Sequence, residues 1–150
     1  MKLGKARLIL HPSDFSSASR AAFKKAVAMA KADGAQLLLA HVLAFPAPIL
    51  SDGYVSPKIY DELSRSMRDD GQKRLDKLVG QAKAAGARAI SLLLEGTPAD
   101  AINRAARSKR ADVIVIGTHG RTGLARLFMG SVAERVVGSA PCPVLTVRGT

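Results

Sequence analysis

Glycines and one serine between positions 117 and 131 form the pattern with the clearest chemical meaning. The segment follows the buried apolar run Val113–Ile116, contains Gly120 and Arg121, and ends where a helical pattern begins at Gly130 and Ser131. Glycine lets a phosphate group approach backbone N–H groups without a Cβ in the way. A helix start adds free N–H donors and the positive end of a dipole. The pattern predicts a triphosphate cradle, although glycines that merely turn a loop and cap a helix would look the same.

Two other classes of nucleotide-binding protein have signatures that can be checked directly. The chain contains no Gly-x-x-x-x-Gly-Lys-Ser/Thr motif, which excludes a P-loop NTPase. No Gly-x-Gly-x-x-Gly follows the first apolar run, which disfavours a dinucleotide-binding protein.

Polar residues after the first two apolar runs are further candidates for chemistry. Asp14 stands beside a predicted ligand-binding position, and it could bind a ligand or hold the backbone in an Asx-turn. His11 and His41 end adjacent predicted strands, where they could pair on a metal or be ordinary polar residues at a pocket rim. No second catalytic group is fixed near His119, which favours a solvent-facing loop position.

The elements that must position these residues follow from the apolar pattern. Continuous apolar runs are typical of strands buried on both faces of a parallel sheet. Helical patterns lie between them, so the predicted fold is α/β with a parallel sheet. The predicted strands are Ala6–Leu10, Gln36–Leu43, Ala89–Leu94, Asp112–Ile116 and Val144–Val147.

The predicted helices have recognisable start and stop signals. Gly34 and Gly86 supply the stops of the first two, and Gly71 weakens the expectation of an unbroken second helix. The run Thr97-Pro98-Ala99-Asp100 predicts a capping box. The four predicted helices begin near Ser16, Ser56, Thr97 and Gly130.

Composition bounds the class of protein. The chain has 150 residues, 47% of them hydrophobic, and we expect one domain over residues 1–150. Lys and Arg number 23 against 12 Asp and Glu, and the net charge of +11 predicts an affinity for anions. Cys142 is the single cysteine, which excludes an intrachain disulfide and favours a reducing, cytoplasmic location. No run approaches the roughly 20 apolar residues of a membrane span.

Several ordered motifs resemble those of the universal stress protein family. The pattern Gly117-x-x-Gly120, nine residues and then Gly130-Ser131 is similar to that family's nucleotide-binding signature. The other segments that carry the resemblance are Leu10–Ser16, Ala40–Val42, Glu95–Ile102 and Ala140–Val147.

The resemblance implies a fold and a ligand. The implied fold is a single Rossmann-like domain, with a five-stranded parallel sheet in the order 3-2-1-4-5, helices on both faces and a homodimer paired through the edge strand Val144–Val147. The implied ligand is ATP, with Mg²⁺ carried on its phosphates. Asp14 would lie near the ribose or adenine, and the backbone of Val42 would read the adenine edge. Counting Arg121 of the glycine segment, the predicted nucleotide-binding residues are Pro12, Ser13, Asp14, Val42, Gly117, Gly120, Arg121, Gly130, Ser131, Val132 and Ala133.

Three functions follow from these patterns. The first is an ATP-binding regulatory module of a stress response. The second is a slow ATPase or phosphotransfer enzyme, for which the sequence shows no evident general base. The third is a nucleic-acid-binding protein, supported by eight Lys and Arg from Arg104 to Arg148. Nucleic acid is the less expected partner, because other lysines spread over several helices and interleaved aromatic residues are missing.

Overall fold

Strands and helices alternate along the chain, as the apolar pattern predicts. The computed structural model describes residues 4–45, 56–118 and 129–149. The elements are β1 (Leu8–Pro12), α1 (Ser17–Asp33), β2 (Gln36–Leu43), α2 (Pro57–Ala84), β3 (Arg88–Glu95), α3 (Pro98–Lys109), β4 (Val113–Gly117), α4 (Ser131–Ser139) and β5 (Val144–Val147).

The five strands form one sheet in the order β3-β2-β1-β4-β5. Each neighbouring pair is parallel, with Ile9 opposite Leu37 of β2 and opposite Val113 of β4. This confirms the predicted order. Because the chain leaves β1 toward β2 on one side and reaches β4 on the other, the carboxyl ends of β1 and β4 form a topological switch point, where ligands of open α/β sheets bind.

Small side chains bring the helices close to both faces of the sheet. Helices α1 and α2 cover one face, and α1 contributes the buried stripe Ala22, Ala26 and Ala30. Helices α3 and α4 cover the other face, where Ile102 and Val136 are almost completely buried. Helices on both faces are therefore confirmed, and sheet burial on both sides explains the continuous apolar runs.

The first strand begins later than the sequence predicts. The N–H groups of Arg7 and Leu8 both bond to the Asp112 carboxylate, at 2.8 and 2.9 Å, and that of Ala6 bonds to Asp33. Residues 6 and 7 are thus tied to two turns before regular pairing starts, and β1 continues to Pro12 instead of ending at Leu10.

The predicted capping box at Thr97 is wrong in detail. Thr97 does precede α3 in an extended conformation, but its side chain makes no capping hydrogen bond. Pro98 fixes a helical φ at the first position, which favours the start of α3 without a side-chain cap.

Helix α2 runs unbroken through Gly71 because that glycine is a packing site. A Cβ on Gly71 would lie 3.2 Å from Leu93 Cδ1, 3.3 Å from Leu43 Cδ2 and 3.5 Å from His41 Cδ2. The helix therefore sits directly on β2 and β3 at this point. No helix in the described ranges is long and apolar enough to cross a membrane.

Replacing Gly80 with alanine should stabilise the protein by about 0.5–1 kcal/mol, the difference in helix propensity between the two residues. Nothing lies within 4 Å of a Cβ built there. The matched substitution Gly71→Ala should gain clearly less, because its methyl group meets Leu93 and Leu43. Urea unfolding of both variants measures the difference, and equal gains would contradict this account of Gly71.

Candidate functional site

The predicted binding residues converge on the carboxyl edge of the sheet. Pro12, Ser13 and Asp14 end or follow β1, Val42 lies near the end of β2, and Gly117 ends β4. The start of α4 supplies the remaining described candidates, Gly130, Ser131, Val132 and Ala133. Gly120 and Arg121, like His119, lie outside the described residues.

The turn after β1 is built by its own side chains. The hydroxyl of Ser13 accepts from the Phe15 N–H at 3.1 Å, and Asp14 Oδ1 accepts from the Ser16 N–H at 2.9 Å. Ser16 then caps α1 by accepting from the Ser19 N–H. Phe15 has φ +64°, a left-handed conformation that is uncommon for an aromatic residue. Such strain is typical of functional segments held in place by their surroundings.

His41 holds this turn from the neighbouring strand. Its Nδ1 lies 2.7 Å from the Ser13 carbonyl oxygen, which can only accept, so Nδ1 carries the proton and donates. The Phe15 ring packs against the imidazole with centroids 4.5 Å apart. The Arg74 guanidinium lies 5.5 Å from the centre of the Phe15 ring. Helix α2 thereby approaches His41 at Gly71 and the Phe15 ring at Arg74.

Val42 turns its backbone groups toward the side of β2 on which β1 lies. The Ala40 carbonyl accepts from Ser13 N–H, and the Leu43 carbonyl accepts from Gly96 N–H on the β3 side. Because backbone groups alternate along a strand, the N–H and C=O of Val42 face β1. The Val42 groups lie beyond the last backbone hydrogen bond between the two chain segments, because the Ser13 carbonyl bonds to His41 Nδ1 instead. This pair of a donor and an acceptor at a strand end can recognise the edge of a base.

Gly117 allows β4 to end in contact with α1. A Cβ at this position would lie 3.0 Å from the Ala18 carbonyl oxygen and 3.2 Å from its carbonyl carbon. Gly149 approaches the same residue, with a built Cβ 2.8 Å from Ala18 Cα. Gly117 therefore has a packing reason to be glycine, independent of any ligand.

The first turn of α4 lies at the same edge of the sheet. Gly130 precedes the helix and bonds through its N–H to the Thr118 carbonyl, which anchors the helix start beside the end of β4. Among the described residues, no side-chain hydrogen bond caps α4. The first N–H groups of a helix have no intrahelical partner, so those of Ser131, Val132 and Ala133 are of the kind that binds an anion.

His11 and His41 make separate structural contacts, and these contacts do not indicate a shared metal site. His11 is completely buried, and its Nδ1–H donates to the Val115 carbonyl at 2.8 Å. Among the described residues, nothing bonds to His11 Nε2. Burial lowers the His11 pKa to about 4, against the smaller raising effects of the Val115 bond and the Asp14 charge. The described residues hold no group of three or more potential metal ligands.

The structural role of His41 is not visible in the sequence. Spacing places both histidines at strand ends, but only the fold shows that His41 holds the Ser13 carbonyl and packs on Phe15. A signal does exist in retrospect, because Gly71 inside a helical pattern indicates a close approach of that helix to another element.

Solved structures share this architecture over nearly the whole chain. A universal stress protein of Methanocaldococcus jannaschii superposes with a TM-score of 0.84, at 24% identity, covering 97% of this chain and 98% of that one. A universal stress protein in complex with cAMP gives 0.72 at 25% identity, covering 98% and 100%. A family member from Arabidopsis thaliana with AMP bound gives 0.69 at 22% identity, covering 96% and 92%.

Sequence comparison agrees with the structural likeness. A universal stress protein of Thermus aquaticus is 39% identical over 145 residues, which cover 95% of this chain and 98% of that protein. Another from Methanocaldococcus jannaschii is 38% identical over 140 residues, covering 93% and 81%. The universal stress protein family model matches residues 5–148. The chain therefore belongs to the universal stress protein family.

Proposed function

We propose that this protein binds ATP at the carboxyl edge of its sheet and acts as a nucleotide-dependent regulatory module of a cytoplasmic stress response. The observation that carries the proposal is the convergence of two sets of backbone groups, those of Val42 and of the first turn of α4, on the β1–β4 switch point. Family members solved with cAMP and with AMP support an adenine nucleotide as the ligand.

Each part of the edge suits one part of the nucleotide. The N–H and C=O of Val42 would pair with the adenine edge, and Asp14 would lie near the ribose or adenine. The N–H groups of Ser131, Val132 and Ala133 would bind phosphate oxygens, assisted by the dipole of α4. Gly120 and Arg121 belong to the proposed phosphate site by their place in the glycine pattern.

The residues at this edge fit Mg²⁺ only as an ion that the phosphates carry. The described residues offer no cluster of three potential ligands, and Mg²⁺ commonly binds through substrate phosphates, water and one or two carboxylates. Asp14 is the carboxylate we assign nearest to that position. Bound Mg²⁺ would neutralise phosphate charge, which lowers the demand on protein cations.

Hydrolysis should be slow or absent. His11 is buried and stays neutral, with its Nδ1–H on Val115, and His41 Nδ1–H is committed to Ser13. Asp14 Oδ1 accepts from the Ser16 N–H. His11 is too buried to reach a water, and the bonds of His41 and Asp14 orient the turn after β1, which is the role that we assign to both groups. Steady ATP turnover that disappears in the Ser131 variants below would establish the enzymatic alternative instead.

The variant Ser131→Pro tests the phosphate site with little disturbance of the helix. Proline is favoured at the first helical position, and Gly130 (φ −58°, ψ 152°) has a conformation that precedes proline readily. The variant lacks one backbone donor and the hydroxyl, so ATP affinity should fall about tenfold, the value of one charge-assisted hydrogen bond. Ser131→Ala loses only the hydroxyl and should bind more tightly than Ser131→Pro.

The measurement begins with nucleotide released from freshly purified protein by denaturation and identified by anion-exchange chromatography. Calorimetric titration with ATP and Mg²⁺ follows for the wild type, both Ser131 variants and Gly130→Ala. If the wild-type protein neither carries nor binds an adenine nucleotide, the proposed function is wrong.

A homodimer through β5 is part of the proposal and has its own test. The Pro143 carbonyl accepts from Ile114 of β4, and the Val147 carbonyl accepts from Thr118, which follows β4. Alternation therefore turns the backbone groups of Val144 and Thr146 toward the sheet edge. Thr146→Pro removes one outward donor without touching the β4 ladder. Analytical ultracentrifugation should show a dimer for wild type and a monomer for Thr146→Pro, with Thr146→Val as control. A dimer that survives the proline would place the interface elsewhere.

A further inference from the structure

The amino end of the sheet, opposite the proposed nucleotide site, gathers four separate segments into one surface. Arg7 accepts through its carbonyl from Gln36, at the turn between α1 and β2. Asp112, at the turn between α3 and β4, binds the N–H groups of Arg7 and Leu8. Arg88 Nη2 donates to the Gly34 carbonyl at 2.5 Å, which joins the start of β3 to the same cluster of turns. We call residues 4–7, 31–36, 83–88 and 107–112 the amino-end surface.

This surface carries a large share of the positive charge. Its basic side chains are all exposed. They come from segments that are far apart in the sequence and that the fold brings together. Among the described residues, the ion pairs that form join other side chains, at the α2–β3 contact, within α2 and between α3 and α4. The basic residues of the amino-end surface are Lys5, Arg7, Lys31, Lys83, Arg88, Arg107, Lys109 and Arg110.

The two carboxylates in the amino-end surface are committed to the backbone. Asp33 accepts from the Ala6 N–H at 3.0 Å, and Asp112 accepts from two N–H groups. Those two bonds lower the Asp112 pKa and keep it ionised. Both carboxylates therefore bind backbone N–H groups instead of the basic side chains. They lower the net positive charge of the surface but, within these four described segments, form no ion pair with its lysines and arginines.

Stabilisation of helix C-termini explains the position of only some of these basic residues. Lys31, Lys83, Arg107 and Lys109 lie in the last turns of α1, α2 and α3, where cations stabilise the helix end. Lys5, Arg7 and Arg88 lie in or just before strands, and Arg110 follows α3 in a left-handed conformation. Lys5, Arg7 and Arg88 therefore have no helix end to compensate, whereas Arg110 is the C-cap residue of α3.

The remaining exposed residues of the amino-end surface are small or polar. No large apolar or aromatic side chain is exposed in these four segments, which argues against insertion into a membrane and against stacking on single-stranded bases. Glycine, alanine and serine between the cations let a flat, highly charged partner come close. The exposed ones are Gly4, Ala32, Gly34, Ala84, Ala85, Gly86 and Ser108.

We propose that the amino-end surface binds the phosphate backbone of a nucleic-acid duplex, without reading its sequence. Lysine and arginine contacts to phosphates give sequence-independent binding that weakens steeply with salt. The surface lies a full strand length from the β1–β4 switch point, about 16 Å for the five residues of β1. It therefore leaves the nucleotide site accessible, and the proposal does not depend on that site.

The test is fluorescence anisotropy of a labelled random-sequence duplex between 50 and about 200 mM salt. The variant Arg7→Gln/Lys109→Gln/Arg110→Asn removes three charges from the surface, with asparagine chosen because it tolerates the left-handed position. The matched control Lys24→Gln/Lys25→Gln/Lys77→Gln removes three exposed charges from α1 and α2. A second surface variant, Lys5→Gln/Lys83→Gln, covers the case in which the first fails to fold.

Wild type should bind the duplex at low salt, and the surface variant should bind at least about tenfold more weakly, with a salt slope smaller by about 2–3. The control should lose less than about threefold. Equal losses in both variants would show diffuse attraction and overturn the proposal. Binding to phosphatidylserine vesicles without binding to the duplex would also overturn it, in favour of a membrane partner. ATP affinity of the surface variant should equal that of wild type.

Discussion

The unfolding free energy should fall by about 3 kcal/mol between pH 6.5 and pH 4 because of His11 alone. Burial favours the neutral imidazole in the folded state and lowers its pKa to about 4, whereas the unfolded chain takes up a proton near pH 6.5. In that window the unfolded state binds more protons, so stability declines as the pH falls. Above the unfolded pKa the contribution is fully present.

Urea unfolding at half-unit pH intervals measures this slope, and His11→Asn isolates it. The asparagine amide can still donate to the Val115 carbonyl but does not titrate. The variant should be less stable at neutral pH, since its smaller side chain leaves a void, yet its stability should decline less steeply toward pH 4. The same slope in both proteins would show that other groups dominate acid unfolding.

ATP should bind about thirtyfold more weakly to His41→Leu, which corresponds to about 2 kcal/mol for an unsatisfied Ser13 carbonyl and a loosened turn. His41 Nδ1–H holds that carbonyl at 2.7 Å, and the turn it fixes carries Asp14. His41→Asn keeps an N–H donor in a comparable position and should recover most of the affinity. Calorimetry with ATP and Mg²⁺ compares the three proteins.

Binding of inorganic tripolyphosphate distinguishes a displaced turn after β1 from damage to the whole nucleotide site. Tripolyphosphate has no base or ribose, so its binding at α4 should be the same in wild type and His41→Leu, while ATP binding differs. Equal weakening of both ligands would mean that the substitution disturbs the whole edge. Equal ATP affinities in the leucine and asparagine variants would show that the Nδ1–H bond contributes nothing.

Much of the fold could be predicted because burial on both faces leaves a strong pattern. Gln36–Leu43 and Val144–Val147 are strands with the predicted boundaries. The start of β1 could not be predicted, since it depends on Asp33 and Asp112, which are distant in sequence. A carboxylate that caps a strand start leaves no periodic signal.

The candidate site divides in the same way. The start of α4 and the position of Asp14 follow from local signals, and the Asx-turn bond, one of the two alternatives for Asp14, is present. The packing reason for Gly117 and the contact of His41 with Ser13 needed the fold, because each joins residues far apart in the chain. Which residues touch the nucleotide stays a prediction.

The central place of β1 has a consequence for synthesis on the ribosome. Ile9 and Leu10 pair with Val113 and Ile114, so one side of the first strand stays unpaired until more than a hundred further residues have been made. At about 5–20 residues per second, this apolar edge is open for roughly 5–20 s. An open edge invites pairing with other chains. The nascent protein should therefore depend on shielding by the ribosome or a chaperone until β4 emerges.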